Sequence, residues 1–405
     1  MAMVRFVHTS DWHLGMTRHF LEGEAQARYT AARIDAIRAI GQLAERASAE
    51  FVVVAGDVFD SNLVATQTVR RALEAMAAVP VPVYLLPGNH DPLDAVTVYR
   101  SRLFDRLKPP NVHVLDSSGP VAVGAGVELV AAPWFSKHPL GDLAGQALAA
   151  LAPQGEERSG IRILVAHGVL DVLSPQEKNP AAIAFSGLEE ALTAGTIDYA
   201  ALGDKHTRLA LSERLHYPGS PEVTSFREEL PGDALVVDLQ AGRDPIVTPH
   251  HVGTWRFVGL ERDLLGDDDI GELDEALGAL DPKDRTVVQT GLRGTLSLQQ
   301  KARLDALLDA YGEVFAACLP WLSRQNIAVL LGDDELADLG IGGFVDEAIA
   351  DLADLAGLAQ PGAVRHSAGS PERSGSRVDH AERSQADVAR EALSLLYRLA
   401  KGPAA

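Results

Sequence analysis

Hydrophobic and polar positions in the first 240 residues form two repeating kinds of stretch. Short apolar runs at residues 4–7, 51–55, 83–86, 127–131, 161–166, 199–202 and 234–239 alternate with longer polar-apolar segments. Most of these runs are nearly continuous rather than alternating, as in strands covered on both faces. Between them, residues 29–47 place Ile34, Ile37, Ile40 and Leu43 on one helical face, and residues 66–78 predict a second helix. Strands alternating with helices predict an α/β domain, whose sites gather beyond the carboxyl ends of strands.

Five of these runs stop on residues that can hold a cation. The first ends in Asp11-Trp12-His13, the second in Gly56-Asp57, the third in Gly88-Asn89-His90-Asp91. Two later runs end in His167-Gly168 and Gly203-Asp204-Lys205-His206. On an extended chain residues i and i+2 point the same way, which predicts that Asp11 lies beside His13 and Asp204 beside His206. Taken singly, each motif has a plainer reading: Gly-Asp is often a turn, and a lone histidine is often a hydrogen-bonded core residue. Their convergence carries the expectation. Oxygen and nitrogen ligands without thiolate favour Mn²⁺, Fe²⁺ or Mg²⁺, with Zn²⁺ possible. Asp57 suits a bridging carboxylate between two cations, which could clamp a phosphoryl group and activate a water. His8 and Trp12 are expected to pack beside the site, and His113, His138, His216, His250 and His251 fit no strand-end pattern.

The chain has 405 residues, more than one ordinary domain. From Trp255 to about Leu355 histidine is absent and Asp, Glu, Leu and Ala dominate, so residues 251–357 are expected to form a smaller domain. A strand is predicted at 286–289 and a helix at 296–308. Residues 358–386 are rich in Ser, Gly, Arg and His and read as a flexible linker. Beyond it, Val388, Leu393, Leu395, Leu396 and Leu399 give an amphipathic helix at 387–401 within a C-terminal segment, 387–405. A single cysteine, Cys318, excludes an intramolecular disulfide, and no apolar run has the length of a membrane span or the pattern of a signal peptide. A cytoplasmic protein is expected. The net charge of −20 does not suit a freestanding nucleic-acid binder, which usually carries a basic footprint. Either the substrate is small, or a partner supplies the grip on a polyanion, or the charge serves solubility alone.

The motifs Asp11-x-His13, Gly56-Asp57-x-x-Asp60, Gly88-Asn89-His90-Asp91, His167-Gly168 and Gly203-x-x-His206 resemble the five motifs of calcineurin-like metallophosphoesterases. More narrowly, His8 to Gly15, Gly56 to Asp60 and Tyr217-Pro-Gly-Ser-Pro221 resemble the SbcD branch of nuclease subunits. That resemblance covers roughly residues 1–240. It implies two β-sheets flanked by helices, with a smaller α+β capping domain. It also implies one metal held by Asp11, His13, Asp57 and His206 and a second by Asp57, Asn89, His167 and the residue at 204. His90 would protonate the leaving oxygen or steady the phosphate, with Asp91 orienting it. Mn²⁺ dependence, DNA exonuclease and endonuclease activity in double-strand break repair, and an ATPase partner of the structural-maintenance type follow from the same resemblance. A homodimer is possible. The family usually has Gly-His-x-His where this chain has Gly203-Asp204-Lys205-His206, so a third carboxylate is expected at the centre. Arg18, Lys205, Arg208 and Arg227 are the basic residues near the site by sequence; Arg18, Lys205 and Arg227 are the candidates for substrate binding. Two rivals stand beside this reading: a phosphodiesterase or phosphatase of small esters, and a metal-bearing scaffold that docks an ATPase through its C-terminal helix.

Overall fold

The computed structural model describes residues 3–124, 126–151, 160–175, 179–330 and 344–355, together with positions 385, 388, 389, 392, 393, 395 and 396. It falls into two compact units, 1–257 and 258–405. In the first unit the chain runs β1 (Met3–Thr9), α1 (Gly23–Ala47), β2 (Phe51–Val54), α2 (Thr66–Ala77), β3 (Val83–Leu85), α3 (Arg102–Leu107) and β4 (Val112–Val114). It continues through β5 (Gly119–Gly124), β6 (Val127–Ala132), α4 (Leu143–Ala149), β7 (Ile161–His167), α5 (Phe185–Thr193) and β8 (Tyr199–Gly203). Strands β9 (Leu209–Ser212), β10 (Leu215–Tyr217), β11 (Asp233–Gln240) and β12 (Ile246–His251) complete it.

Two six-stranded sheets result, ordered β12-β11-β1-β2-β3-β4 and β5-β6-β7-β8-β10-β9. Strands β1 to β4 pair in parallel in the first sheet, and β6, β7 and β8 in the second. Their inner faces meet in one apolar layer, where Phe6, Phe51, Val53 and Tyr84 of the first sheet cluster with Leu129, Ile163, Val165 and Tyr199 of the second. The first sheet's other face packs under α1 and α2 through Ile37, Ile40, Leu73 and Met76. Leu188 and Leu192 of α5 and Ala144 and Ala147 of α4 cover the second sheet's other face. This two-sheet sandwich flanked by helices is the expected α/β fold, and burial on both faces explains the unbroken apolar runs. The predicted helix at 29–47 begins earlier, at Gly23, and short strands such as β5, β9 and β12 carried too little periodicity to be foreseen.

A buried histidine ties the sheets together. His8 on β1 reaches the Leu202 carbonyl on β8 with Nε2 (3.1 Å) and the Tyr199 hydroxyl with Nδ1 (3.2 Å). A carbonyl only accepts, so Nε2 carries the proton and Nδ1 accepts from the tyrosine. Burial drives the ring's pKa down to about 3, with His216 adding to the fall, and the ring stays neutral. The ends of β2 and β8 also approach closely. A Cβ at Gly203 would stand 1.9 Å from the Ala55 carbonyl oxygen.

The second unit holds a four-stranded sheet of β13 (Arg256–Leu264), β14 (Thr286–Ser297), β15 (Ala317–Pro320) and β16 (Asn326–Leu330), with β14 pairing all three others. Helices α6 (Asp267–Gly278) and α7 (Leu298–Val314) pack on it, and α8 (Phe344–Leu355) follows. The contact boundary lies at 257 rather than 250. The expected linker, 358–386, lies outside the described residues apart from position 385, as do Leu399 and Lys401 of the expected tail helix. Among the described tail positions, Ala389 and Leu393 are buried with Leu396 beside them, against Leu298, Ala302, Val329 and Ile349. At these described positions the apolar face packs within its own unit, while Val388 and Leu395 are exposed.

Two stability outcomes follow. Gly203→Ala should lower the melting temperature of the isolated protein, overpacking of this kind costing about 1–3 kcal/mol; an unchanged thermogram would show that β2 and β8 can part freely. Leu393→Ala should cost about 2–5 kcal/mol of second-unit stability in denaturant titration. An effect seen only when an ATPase partner is present would restore the docking role of the tail.

Candidate metal centre

Because β1, β2 and β3 lie side by side in one sheet and β7 and β8 in the other, their carboxyl ends open onto one place. The segments leaving the first three carry Asp11 and His13, Asp57, and Asn89. Strand β7 ends on His167 itself, and the segment after β8 carries Asp204 and His206.

The local geometry differs from the extended chain expected from sequence. Asp11, His13, Asp57 and Asp204 have φ of 54°, 43°, 52° and 99°, the left-handed region that costs a non-glycine residue about 1–3 kcal/mol. The side chains converge because the backbone turns there. Pairing with the neighbouring segment holds that turn: Asp11 N–H donates to the Gly56 carbonyl, His13 N–H to Asp57 and Leu14 N–H to Val58, at 2.9–3.0 Å. Ser220 Oγ–H donates to the Asp11 carbonyl at 2.7 Å.

Seven predicted ligands gather in this way. His13 Nε2 and His206 Nε2 lie 3.0 Å apart, and Asp11 Oδ1 is 3.9 Å from the first and 3.8 Å from the second. Asp57 Oδ2 stands between two histidines, 3.8 Å from His13 Nε2 and 3.4 Å from His167 Nε2. Asn89 Oδ1 approaches His167 Nε2 to 2.8 Å, and Asp204 Oδ1 approaches it to 3.7 Å. Asp204 reaches the His167 side of the cluster, and its N–H donates to both Asp11 carboxylate oxygens (3.2 and 3.1 Å).

The donor set fits cations. His167 Nδ1 donates to the Ala55 carbonyl at 2.8 Å, which leaves Nε2 with a lone pair facing Asp57. His206 Nδ1 donates to Thr224 Oγ1 at 2.7 Å, which likewise turns a lone pair toward His13. Each of these Nε2 atoms faces carboxylates, an arrangement met either by a proton on the ring or by a bound cation. Turned over, the Asn89 amide would donate to His167 Nε2 and Asp57 Oδ2 at 2.8 and 3.0 Å; the first orientation suits a cation, and the second satisfies the same atoms by hydrogen bonds. Charges inside the cluster reinforce one another. Burial opposes ionisation of Asp57, yet His167, His13 and His90 hold its carboxyl below the usual carboxylate range. Burial also opposes a charge on His167, but Asp57, Asp11 and Asp204 drive its pKa well above the imidazole value. Asp204 is raised, chiefly by burial.

His90 sits at the edge, half exposed, with its N–H on Asp57 Oδ1 (2.9 Å) and its ring 4.8 Å from that of His13. The expectation that Asp91 orients it is corrected. The buried Asp91 carboxylate accepts from Phe59 N–H, Gly88 N–H and the Tyr99 hydroxyl (2.9, 2.7 and 2.6 Å). Burial, with Asp57 adding, lifts its pKa to about 6. The Asp60 carbonyl, accepting from His90 Nδ1 at 2.9 Å, orients the ring instead. Asp91 organises the loop because three buried donors need one acceptor. Of the basic candidates, Lys205 and Arg227 line a cleft beside His206. No bond joins the Arg18 side chain to the cluster among the described residues; its backbone N–H meets Gln26. Arg208 pairs with Asp233 at 3.3 Å.

Sequence patterning missed Thr224 and Glu228. Thr224 Oγ1–H donates to Glu228 Oε1, and the Thr224 N–H reaches Glu228 Oε2 at 2.9 Å. The chain His206–Thr224–Glu228 therefore fixes which imidazole nitrogen faces the site, with Glu228 3.4 Å behind the ring. Neither residue lies at a strand end. The only nearby signal was the turn Tyr217–Pro221, noted for its glycine and prolines.

A carboxylate and imidazole cluster at the carboxyl ends of parallel strands in two mixed sheets is the site of a metal-dependent phosphoester hydrolase. The chain belongs to the calcineurin-like phosphoesterase family, whose model matches residues 4–279. It is 33% identical over 150 residues to the D component of the nuclease SbcCD of Rhodobacter capsulatus, covering 35% of this chain and 33% of that one. With the DNA double-strand break repair protein Mre11 of Archaeoglobus fulgidus it shares 31% identity over 91 residues, 22% of this chain and 19% of that one. The matched stretches thus span about a fifth to a third of these relatives. The crystal structure of TT1561 of Thermus thermophilus overlaps 62% of this chain and 100% of its own at 11% identity and a TM-score of 0.40. No helix among the described residues is long and apolar enough to cross a membrane.

Thr224→Val should weaken Mn²⁺ binding by about 10- to 100-fold, as loss of a residue supporting a ligand typically does, while Thr224→Ser should stay close to wild type in titration calorimetry. Equal affinity in the valine variant would show that His206 is held without the hydroxyl.

Proposed function

We propose that this protein is a two-metal DNA nuclease, the hydrolytic subunit of an assembly with an ATPase of the structural-maintenance type. The observation that carries the reading is Asp57: one buried carboxylate stands 3.8 Å from His13 and 3.4 Å from His167, where it can serve two cations at once. In this reading Asp11, His13, Asp57 and His206 hold one ion, and Asp57, Asn89, His167 and Asp204 the other, with Mn²⁺ as the preferred metal. The relatives named for nuclease activity and double-strand break repair support the substrate.

Bound ions would supply Lewis acidity on a phosphoryl oxygen and a water of lowered pKa. The chain itself provides the rest. Asp11, Asp57 and Asp204 contribute three negative charges, so a loaded centre keeps a small positive charge toward a phosphodiester. His90 donates through Nδ1 to Asp60, so Nε2 is the nitrogen left for the substrate; protonated, it donates toward the leaving oxygen. Its half-exposed position fits a group that meets the substrate rather than a ligand sealed in the cluster.

A second reading, hydrolysis of small phosphate esters, is favoured by the net charge of −20, which repels a polyanion unless a partner or a local surface compensates. Purified protein with Mn²⁺, offered linear duplex, hairpin DNA and a chromogenic phosphate monoester, separates the two. Degradation of DNA supports the nuclease; hydrolysis of the monoester alone supports the rival.

Asp57→Ala should abolish hydrolysis in every assay, and activity near wild type in a folded variant would end the two-metal reading. His90→Ala should retain both ions by elemental analysis and lose about 10²- to 10⁴-fold in turnover, the size of a missing general acid. Loss of an ion would make it a ligand.

A further inference from the structure

Beside His206 the first unit has a cleft of about 440 Å³, lined by Leu173, Lys205, Thr207, Leu209, Ser225, Arg227, Glu228 and Glu229 as well as His206 itself. We propose that this cleft is a subsite for the nucleotide unit next to the scissile phosphate, so that the preferred substrate is a chain carrying at least two phosphates. The proposal rests on the hydrolytic reading above and specifies what the site grips besides the reacting group.

Position is the first support. His206 faces the metal centre with Nε2 and lines the cleft as well, and Lys205 sits between Asp204 and His206 in the chain. A group in the cleft is therefore next door to a group at the centre. Charge is the second. Lys205 and Arg227 make no ion pair among the described residues, whereas the nearby Arg208 is paired with Asp233 and Arg214 with Asp244. Two cations without an ion-pair partner in one lining favour an anion. Glu228 keeps its charge, but its carboxylate is turned to Thr224 and to His206 Nδ1, 3.4 Å away, and pairs with neither cation among the described residues. Glu229 is exposed and opposes the cations only through screened solvent.

Size and lining are the third support. The volume falls within the range of about 300–1,000 Å³ typical of small-ligand sites, well above what one phosphate fills. Leu173 and Leu209 offer apolar surface to a sugar or base, and Lys205 and Arg227 offer donors to a phosphate.

Thymidine dinucleotide, with one phosphate, and trinucleotide, with two, test the subsite in Mn²⁺. The trinucleotide should show a kcat/KM higher by about tenfold, the size of one charge-assisted contact, and the gain should lie in KM. Arg227→Ala and Lys205→Gln should each erase most of that gain, while Glu229→Gln should enlarge it. Arg227 is exposed, so its variant is expected to fold. Equal kcat/KM for the two substrates, or a gain that survives both substitutions together, would overturn the subsite. If wild type cleaves neither nucleotide, the hydrolytic reading is left to the duplex, hairpin and monoester assays above, and the cleft is judged by binding alone. A fluorescent phosphorothioate trinucleotide in EDTA then serves as the probe. Anisotropy binding weakened by Arg227→Ala supports the subsite, and equal binding by both proteins rejects it.

Discussion

The Ala55 carbonyl is the point where the two sheets of the first unit become one site. It accepts from His167 Nδ1 at 2.8 Å and occupies the space where any side chain at Gly203 would begin. That contact sets how near the end of β2 comes to the ends of β7 and β8. Asp57 follows two residues after Ala55 and Asp204 one residue after Gly203, so ligands from separate sheets meet. The same bond fixes the proton on Nδ1 and frees Nε2 for the cluster. One hydrogen bond thus aligns the strands and selects a tautomer.

Strain and charge accumulate at the centre because the surroundings hold them there. Four left-handed ligand residues would relax outward without the pairing of residues 11–14 to 56–58. Asp11, Asp57 and Asp204 repel one another without counter-charge, and His167 answers part of that repulsion. A centre assembled against its own preferences is typical of sites whose geometry serves a ligand. The supporting groups are themselves buried and satisfied: Asp91 by three donors, His8 by Tyr199 and Leu202, Glu228 by Thr224. The polar groups behind the cluster are buried and bonded, while His90, Lys205 and Arg227 at its margin are partly or largely exposed.

The second unit follows a different logic. Its sheet is centred on β14, and its small apolar cluster recruits Ala389 and Leu393 from far along the chain. An amphipathic pattern identifies a face that must be covered, and here its own unit covers it.

The fold class and the polar residues that cluster at the strand ends were legible in the sequence for a plain reason. Strands buried on both faces must be continuously apolar, so Asp57, Asn89, His167 and His206 stand out where those runs stop. Local spacing did not carry the geometry. Asp11 and His13 converge through left-handed turns held by pairing with residues 56–58, a long-range contact that spacing does not encode. For the same reason Asp91 read as the partner of His90, although its carboxylate serves Phe59, Gly88 and Tyr99. Thr224 and Glu228 carry no pattern of their own; only the approach of their loop to His206 gives them a role. The sequence by itself determined which residue types end each strand, because burial leaves little choice of composition there. Tertiary structure alone decided which of them face each other, because that depends on how closely two sheets approach at Ala55 and Gly203.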